Sequence, residues 1–155
     1  MVEIGKVAPS FNLPCDDGDN IDLSGLRGQN VVLYFYPKDD TPGCTIEAQD
    51  FAKNIEKFKE LDTIVIGVSR DDIKSHCKFI EKFSLNFNLI ADTESELCDK
   101  YGVLKEKSMF GKKYQGIDRS TFVIDKKSNV VQIWRSVSVN GHVEEVLSFL
   151  KKMSQ

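Results

Sequence analysis

No two cysteines in the 155-residue chain are separated by just two residues, and only four occur at all, Cys15, Cys44, Cys77 and Cys98. The missing CxxC excludes a locally written zinc knuckle or thioredoxin-type dithiol. Four dispersed thiols are also too few for a disulfide framework. No apolar run exceeds Val31–Tyr36, far short of the roughly 20 residues that span a bilayer. Met1–Lys6 lacks the apolar core of a signal peptide, so a soluble, cytoplasmic protein without a membrane partner is expected. Charge of one sign is lacking too: 21 basic side chains face 24 acidic ones, for a net charge of -3. That balance does not fit a nucleic-acid binder. Repeats, low-complexity stretches and linkers are absent, so residues 1–155 are expected to form one domain, large enough to bury a core without metal or disulfide. Only two histidines occur, His76 and His142. A cysteine–histidine hydrolase would need the fold to bring one of them to a thiol, and both are read as surface or packing residues.

What is present is an alternation of elements. Val31–Tyr36 and Thr63–Val68 are continuous apolar, β-rich runs, the pattern of strands buried on both faces. Between them, Ile46, Phe51, Ile55, Phe58 and Leu61 recur at helical spacing, which predicts a helix over Thr41–Leu61. Asp71 or Asp72 can cap a second helix to about Ser84, Leu89–Ala91 is a short strand, and a third helix is predicted from Asp92 to Gly102 at C′. Ser120–Asp125 and Val130–Arg135 read as a hairpin, Gly141–Lys152 as a final amphipathic helix, and Phe11–Leu23 as a small extra N-terminal hairpin. The Lys- and Gly-rich segment Lys105–Ile117 is expected to be a loop or edge extension. The order implies an α/β fold, a central sheet flanked by helices.

The cysteines are not equivalent, because only the thiolate attacks and local electrostatics decide how much of it exists. Cys15 precedes Asp16 and Asp17, whose charge disfavours a thiolate. Cys98 is expected near the C-terminal end of the third helix, where the dipole also disfavours one. Both read as small buried hydrophobes. Cys44 follows a buried strand and the turn residues Pro42 and Gly43, which place it in the first turn of a helix. There, free N–H groups and the dipole favour an anion. Thr41 stands three residues earlier, with its hydroxyl in reach of the sulfur or of a bound substrate.

The segment Tyr34-Phe-Tyr-Pro-Lys-Asp-Asp-Thr-Pro-Gly-Cys-Thr45 resembles the peroxidatic signature of peroxiredoxins, most closely the bacterioferritin comigratory protein, or peroxiredoxin Q, subgroup. Val7–Pro14, Glu106–Lys112 and Gly116–Phe122 are similar to further family blocks, in the same order along nearly the whole chain. The resemblance implies a thioredoxin-like fold and a thiol peroxidase for hydrogen peroxide and small organic hydroperoxides. It implies no cofactor and no metal, thioredoxin or a similar thiol as reductant, and a monomer. It assigns Cys44 as nucleophile, Thr41 and Pro37 as loop residues around the peroxide, and Arg119 as the cation that stabilises charge on sulfur and the departing oxygen. Only four of the 21 basic residues are arginine, consistent with arginine being used where a planar fork matters. Glu47 matches a polar family position.

The sequence departs from the subgroup at the resolving cysteine. Where many members carry it five residues after the first, this chain has Gln49. Where others carry it on the next helix, this chain has Ile80, with Cys77 one turn earlier on roughly the same face. Cys77 lies at the border of the apolar stripe Ile73, Phe79, Ile80 and Phe83, among Lys74, His76 and Lys78. A disulfide needs Cα atoms about 4.4–6.8 Å apart, so Cys77 would reach Cys44 only after local unwinding. Cys77 as resolving cysteine and one-cysteine turnover with an external thiol both remain open. The rival reading is a redox-sensing or chaperone-like module with the same fold and no rapid turnover.

Overall fold

The computed structural model describes residues 2–155. Its centre is β3, Asn30–Phe35, with all six residues buried. The continuous apolar run is explained by what lies on either side: β3 pairs in parallel with β4 (Thr63–Ser69) and antiparallel with β8 (Ser120–Ile124). Adding β5 (Asn88–Ala91) and β9 (Val130–Trp134) completes a five-stranded mixed sheet in the order β5-β4-β3-β8-β9.

Side chains alternate across β3 as a strand requires. Val31, Leu33 and Phe35 join one core, with Phe11, Cys15, Leu97, Cys98, Tyr101 and Phe122. Val32, Tyr34 and Tyr36 join the other, with Cys44, Phe51, Phe58, Phe79, Val143 and Leu150. The second face is covered by α1 (Pro42–Lys53), α2 (Ile55–Glu60), α3 (Ile73–Phe83) and α5 (His142–Met153). The first is covered by α4 (Glu96–Lys100) and the hairpin of β1 (Asn12–Pro14) with β2 (Asn20–Asp22).

Three expectations need correction. The helix predicted over Thr41–Leu61 breaks at Asn54, which leaves helical geometry (φ -106, ψ 8) and turns its side-chain amide back onto the Asp50 carbonyl at 2.8 Å. The bend keeps Phe51 and Phe58 in one core, with ring centroids 5.7 Å apart. The helix predicted from Asp92 starts at Glu96 instead, because the Asp92 carboxylate reaches forward to accept the N–H groups of Leu97 (3.0 Å) and Cys98 (2.8 Å). The segment expected as a loop or edge extension is a regular two-stranded hairpin separate from the central sheet, β6 (Leu104–Met109) with β7 (Lys112–Ile117), closed by Phe110 and Gly111 at positive φ. Its outward residues are mostly polar, so neither buried-strand signal appears in its sequence.

Candidate active site

Thr41 is the extended N-cap of α1 (φ -100, ψ 155), Pro42 follows it, and Cys44 stands in the first turn. The first helical bond of the segment, Thr45 N–H to the Thr41 carbonyl at 2.9 Å, lies beyond Cys44. The N–H groups at this helix start lack intrahelical acceptors. Cys44 is 1% exposed.

Arg119 meets Cys44 through the sheet register. Phe35, the last residue of β3, pairs with Ser120, the first of β8. The residue before Ser120 therefore sits where the chain leaves β3 for the Pro37–Cys44 loop. Arg119 Nη2 lies 3.4 Å from Cys44 Sγ, and Nη1 donates to Glu47 Oε1 at 2.7 Å. One guanidinium thus bridges the thiol and a carboxylate one turn further along α1, a two-pronged task that suits arginine rather than lysine. Glu47 is fully buried, and its Oε2 has no hydrogen-bond partner. Burial pushes its pKa up to about 7 against the opposing pull of Arg119.

Residues 4–133 match the AhpC/TSA family. Peroxiredoxin Bcp of Bacillus subtilis is 50% identical over 99% of this chain and 98% of its own length. The chain belongs to the AhpC/TSA family. Peroxiredoxin Bcp of Escherichia coli K12 is 38% identical over 97% of each chain. Peroxiredoxin Q of Xanthomonas campestris superposes with a TM-score of 0.90 at 42% identity, covering 94% of this chain and 92% of that one. A cysteine-to-serine mutant of Xylella fastidiosa PrxQ superposes at 0.95 with 38% identity over 100% and 99%. One further Xanthomonas structure concerns the alkyl peroxide reduction activity of that organism's bacterioferritin comigratory protein. This peroxiredoxin of the Bcp/PrxQ branch therefore has the thioredoxin-like fold and is a thiol-dependent peroxidase, an oxidoreductase whose substrate is a hydroperoxide and whose reductant is a thiol.

In this peroxiredoxin the remaining expected residues fall as follows. Thr41 and Pro37 are half-buried in the loop between β3 and α1. The Thr41 hydroxyl does not bond the sulfur; it donates to the Lys38 carbonyl at 2.8 Å, fixing the loop. Cys77 is exposed on α3, and its thiol donates to the Asp16 carbonyl at 3.1 Å, beside β5 rather than toward Cys44. All four cysteines are free. Burial, with a hydrogen bond to Asp17, pushes the Cys15 thiol up to about 12. Cys98 is raised as well, first by burial and then by Asp92. The reason expected for Cys98 was wrong, since it lies in the middle of α4 with its N–H on Asp92.

The contacts of Gly43 and of the two histidines were not legible in the sequence. A Cβ on Gly43 would come within 3.2 Å of Arg119 Nη2, so the bare glycine lets the guanidinium settle over the helix start. Both histidines are buried, correcting the surface option for each. His142 Nε2 lies 2.8 Å from the Thr121 hydroxyl under Trp134, while His76 bonds Asp39 of the loop after β3. The signal that could have found the latter is the pair of acidic residues Asp39 and Asp40 in a loop otherwise built from turn formers.

Proposed function

We propose that Cys44 is the peroxidatic nucleophile of this peroxidase and that Arg119 is the cation that serves it. The observation that carries this reading is the guanidinium held between Cys44 Sγ and Glu47. The Cys44 thiolate attacks the nearer peroxide oxygen, and the O–O bond breaks. The sulfur becomes sulfenic acid, oxidised by two electrons, and the farther oxygen leaves with a proton as water or alcohol. Charge moves from sulfur to the departing oxygen along a line flanked by Arg119 and the helix start, the arrangement that stabilises a developing anion. Pro37 and Thr41 shape the loop on which this happens. Hydrogen peroxide and small alkyl hydroperoxides are the substrates, in line with the alkyl peroxide reduction studied in the Xanthomonas relative. Cys44→Ser is expected to abolish donor-dependent peroxide consumption; wild-type turnover in that variant refutes the assignment.

Cys77 is the resolving cysteine of this reading: its thiolate attacks the Cys44 sulfenic sulfur, the S–O bond breaks, and hydroxide leaves as water after taking a proton. Thioredoxin or a similar dithiol then reduces the disulfide. The bond of Cys77 to Asp16, on the β5 side, favours a second reading in which an external thiol reduces Cys44 directly. Free thiols counted after one equivalent of peroxide separate the two. Two lost in wild type and one in Cys77→Ser support Cys77; one lost in wild type supports one-cysteine turnover. The protein works as a cytoplasmic monomer of one domain. The single shared sheet with a core on each face supports the one domain, and no helix among the described residues is long and apolar enough to cross a membrane.

A further inference from the structure

Asp39 lies in the loop between Pro37 and Thr41, five residues before Cys44, yet it is only 8% exposed. Its carboxylate meets three partners. Oδ1 accepts from the Tyr36 hydroxyl at 2.6 Å; Oδ2 accepts from Ser75 Oγ at 2.8 Å and meets His76 Nδ1 at 2.7 Å. Its own N–H donates to Asp71 Oδ2 at 2.8 Å, which also accepts from Ser69 Oγ at 2.7 Å. His76 is fully buried, and its Nε2 meets the Ile90 carbonyl at 2.9 Å. Both ring nitrogens thus face acceptors, a carbonyl at Nε2 and a carboxylate at Nδ1, the environment that a doubly protonated ring satisfies. The arrangement is a buried histidine–carboxylate pair. Burial works against the charge on His76, but the hydrogen bond and charge of Asp39 outweigh it and hold the pKa above the ordinary histidine value.

This pair ties together the ends of β3 and β4, the loop leading to Cys44, the first turns of α3 and the strand β5. Neither Asp39 nor His76 hydrogen-bonds Cys44 or Arg119 among the described residues, so the chemistry described above does not account for the pair. His76 directly precedes Cys77. With Cys77 exposed and bonded to Asp16, and Cys44 buried under Arg119, a disulfide between them requires local opening of one or both of the helices that carry them. The N-terminal half of α3 is held by the Ser75 N–H donating to Asp72 Oδ1 at 2.8 Å, by the bonds of Ser75 and His76 to Asp39, and by those of His76 to the Ile90 carbonyl and Cys77 to the Asp16 carbonyl.

We propose that the Asp39–His76 pair is a latch between the peroxidatic loop and the resolving helix. Asp39 and His76 are positioning residues: closed, the pair holds the loop in its peroxide-reducing shape and keeps α3 wound, and its opening releases both together and lets Cys77 approach the oxidised Cys44. The loop therefore cannot be fully ordered while α3 is unwound. The release clause rests on the reading of Cys77 as resolving cysteine; the coupling of loop and helix does not.

The test compares the wild type with Asp39→Asn, which keeps the side-chain shape, and His76→Leu, which removes the imidazole. Tyr36→Phe, which deletes one donor to Asp39, carries the test should His76→Leu not fold. Amide hydrogen exchange of the reduced proteins reads the coupling. Exchange over 37–44 and 73–83 is expected to rise together by at least about tenfold, the lower end for losing a hydrogen bond to a charged group, while β4 and β8 keep wild-type protection. A rise in only one segment, a rise across the whole sheet, or no rise overturns the latch. Single-turnover thiol counting reads the release: the step from sulfenic acid to disulfide is expected to be faster, and the peroxide step slower, in Asp39→Asn. Equal or slower disulfide formation in that variant overturns the release clause. Loss of only one thiol in the wild type overturns the role of Cys77, and with it the release, independently of the exchange result.

Discussion

Replacing Arg119 with methionine removes the guanidinium and keeps a chain of similar length at a site that is 16% exposed. At the observed 3.4 Å between Nη2 and Cys44 Sγ, a unit positive and a unit negative charge attract by about 5 kcal/mol at an effective dielectric constant of about 20. Part of that is offset by desolvation, and part acts equally on the thiolate before and during attack. The differential share compares with deleting one donor from an oxyanion hole, about 10²–10³-fold in rate, or roughly 2.7–4 kcal/mol. The expected outcome for Arg119→Met is therefore a loss of about 10²–10³-fold in the second-order rate of Cys44 oxidation, measured by rapid mixing with hydrogen peroxide under single turnover. The fold is expected to survive. Stripping one partner from a buried ion pair commonly costs about 3–5 kcal/mol, but Glu47, with its pKa already near 7, escapes much of that by taking up a proton. The double variant Arg119→Met/Glu47→Gln separates the two effects: thermal stability is expected to recover toward wild type while the rate stays low. A rate for folded Arg119→Met within threefold of wild type, or recovery of rate in the double variant, refutes the electrostatic account of the site.

The buried carboxyl of Glu47 has a folded-state pKa raised from 4.5 to about 7, so its protonated form favours the fold below about 4.5 and that contribution is lost as pH rises through 7. Glu47→Gln is expected to flatten the fall in urea-unfolding free energy between pH 5 and 8, by at most about 3 kcal/mol; an unchanged slope contradicts the shift. His142 behaves in the opposite sense. Burial lowers its pKa from 6.5 to about 4, so the neutral ring favours the fold above 6.5 and stability falls as pH drops from 6.5 toward 4. His142→Gln is expected to reduce that acid loss in the same titration. Gly43→Ala places a methyl group 3.2 Å from Arg119 Nη2 and is expected to slow peroxide reduction by roughly tenfold through displacement of the guanidinium, with little change in melting temperature. An unchanged rate shows that Arg119 has room to give.

The setting of Cys44 is legible in the sequence because it is built within one helical turn. A buried strand, two turn formers and a cysteine at the start of an amphipathic helix are enough to put the thiol among free N–H groups. The same short range made Cys15 readable, since its aspartates are adjacent in sequence. The alternation of buried strands and helices likewise declares the α/β sheet, because continuous apolar runs have few other uses in a chain of this composition.

The sequence could not supply anything that depends on which strands become neighbours. Arg119 reaches Cys44 across 75 residues of chain only because Phe35 and Ser120 are paired in register, and a shift of one residue would turn it to the other side of the sheet. The β6–β7 hairpin escaped notice because it is exposed along most of both strands and leaves no hydrophobic period. Cys98 was placed at the wrong part of its helix because Asp92 caps from a distance, through side-chain bonds that no propensity encodes. His76 read as a surface or packing residue until the ends of three parallel strands brought Asp39, Asp71 and the Ile90 carbonyl around it. By itself, then, the sequence determined the place of Cys44 at a helix start, its difference from the other cysteines and the layered class of fold, all properties of contiguous segments. The tertiary structure alone decided which cation faces the Cys44 sulfur, which carboxylate steadies that cation, and how the loop before Cys44 is tied to the helix of Cys77, because each is a long-range contact set by strand order and register.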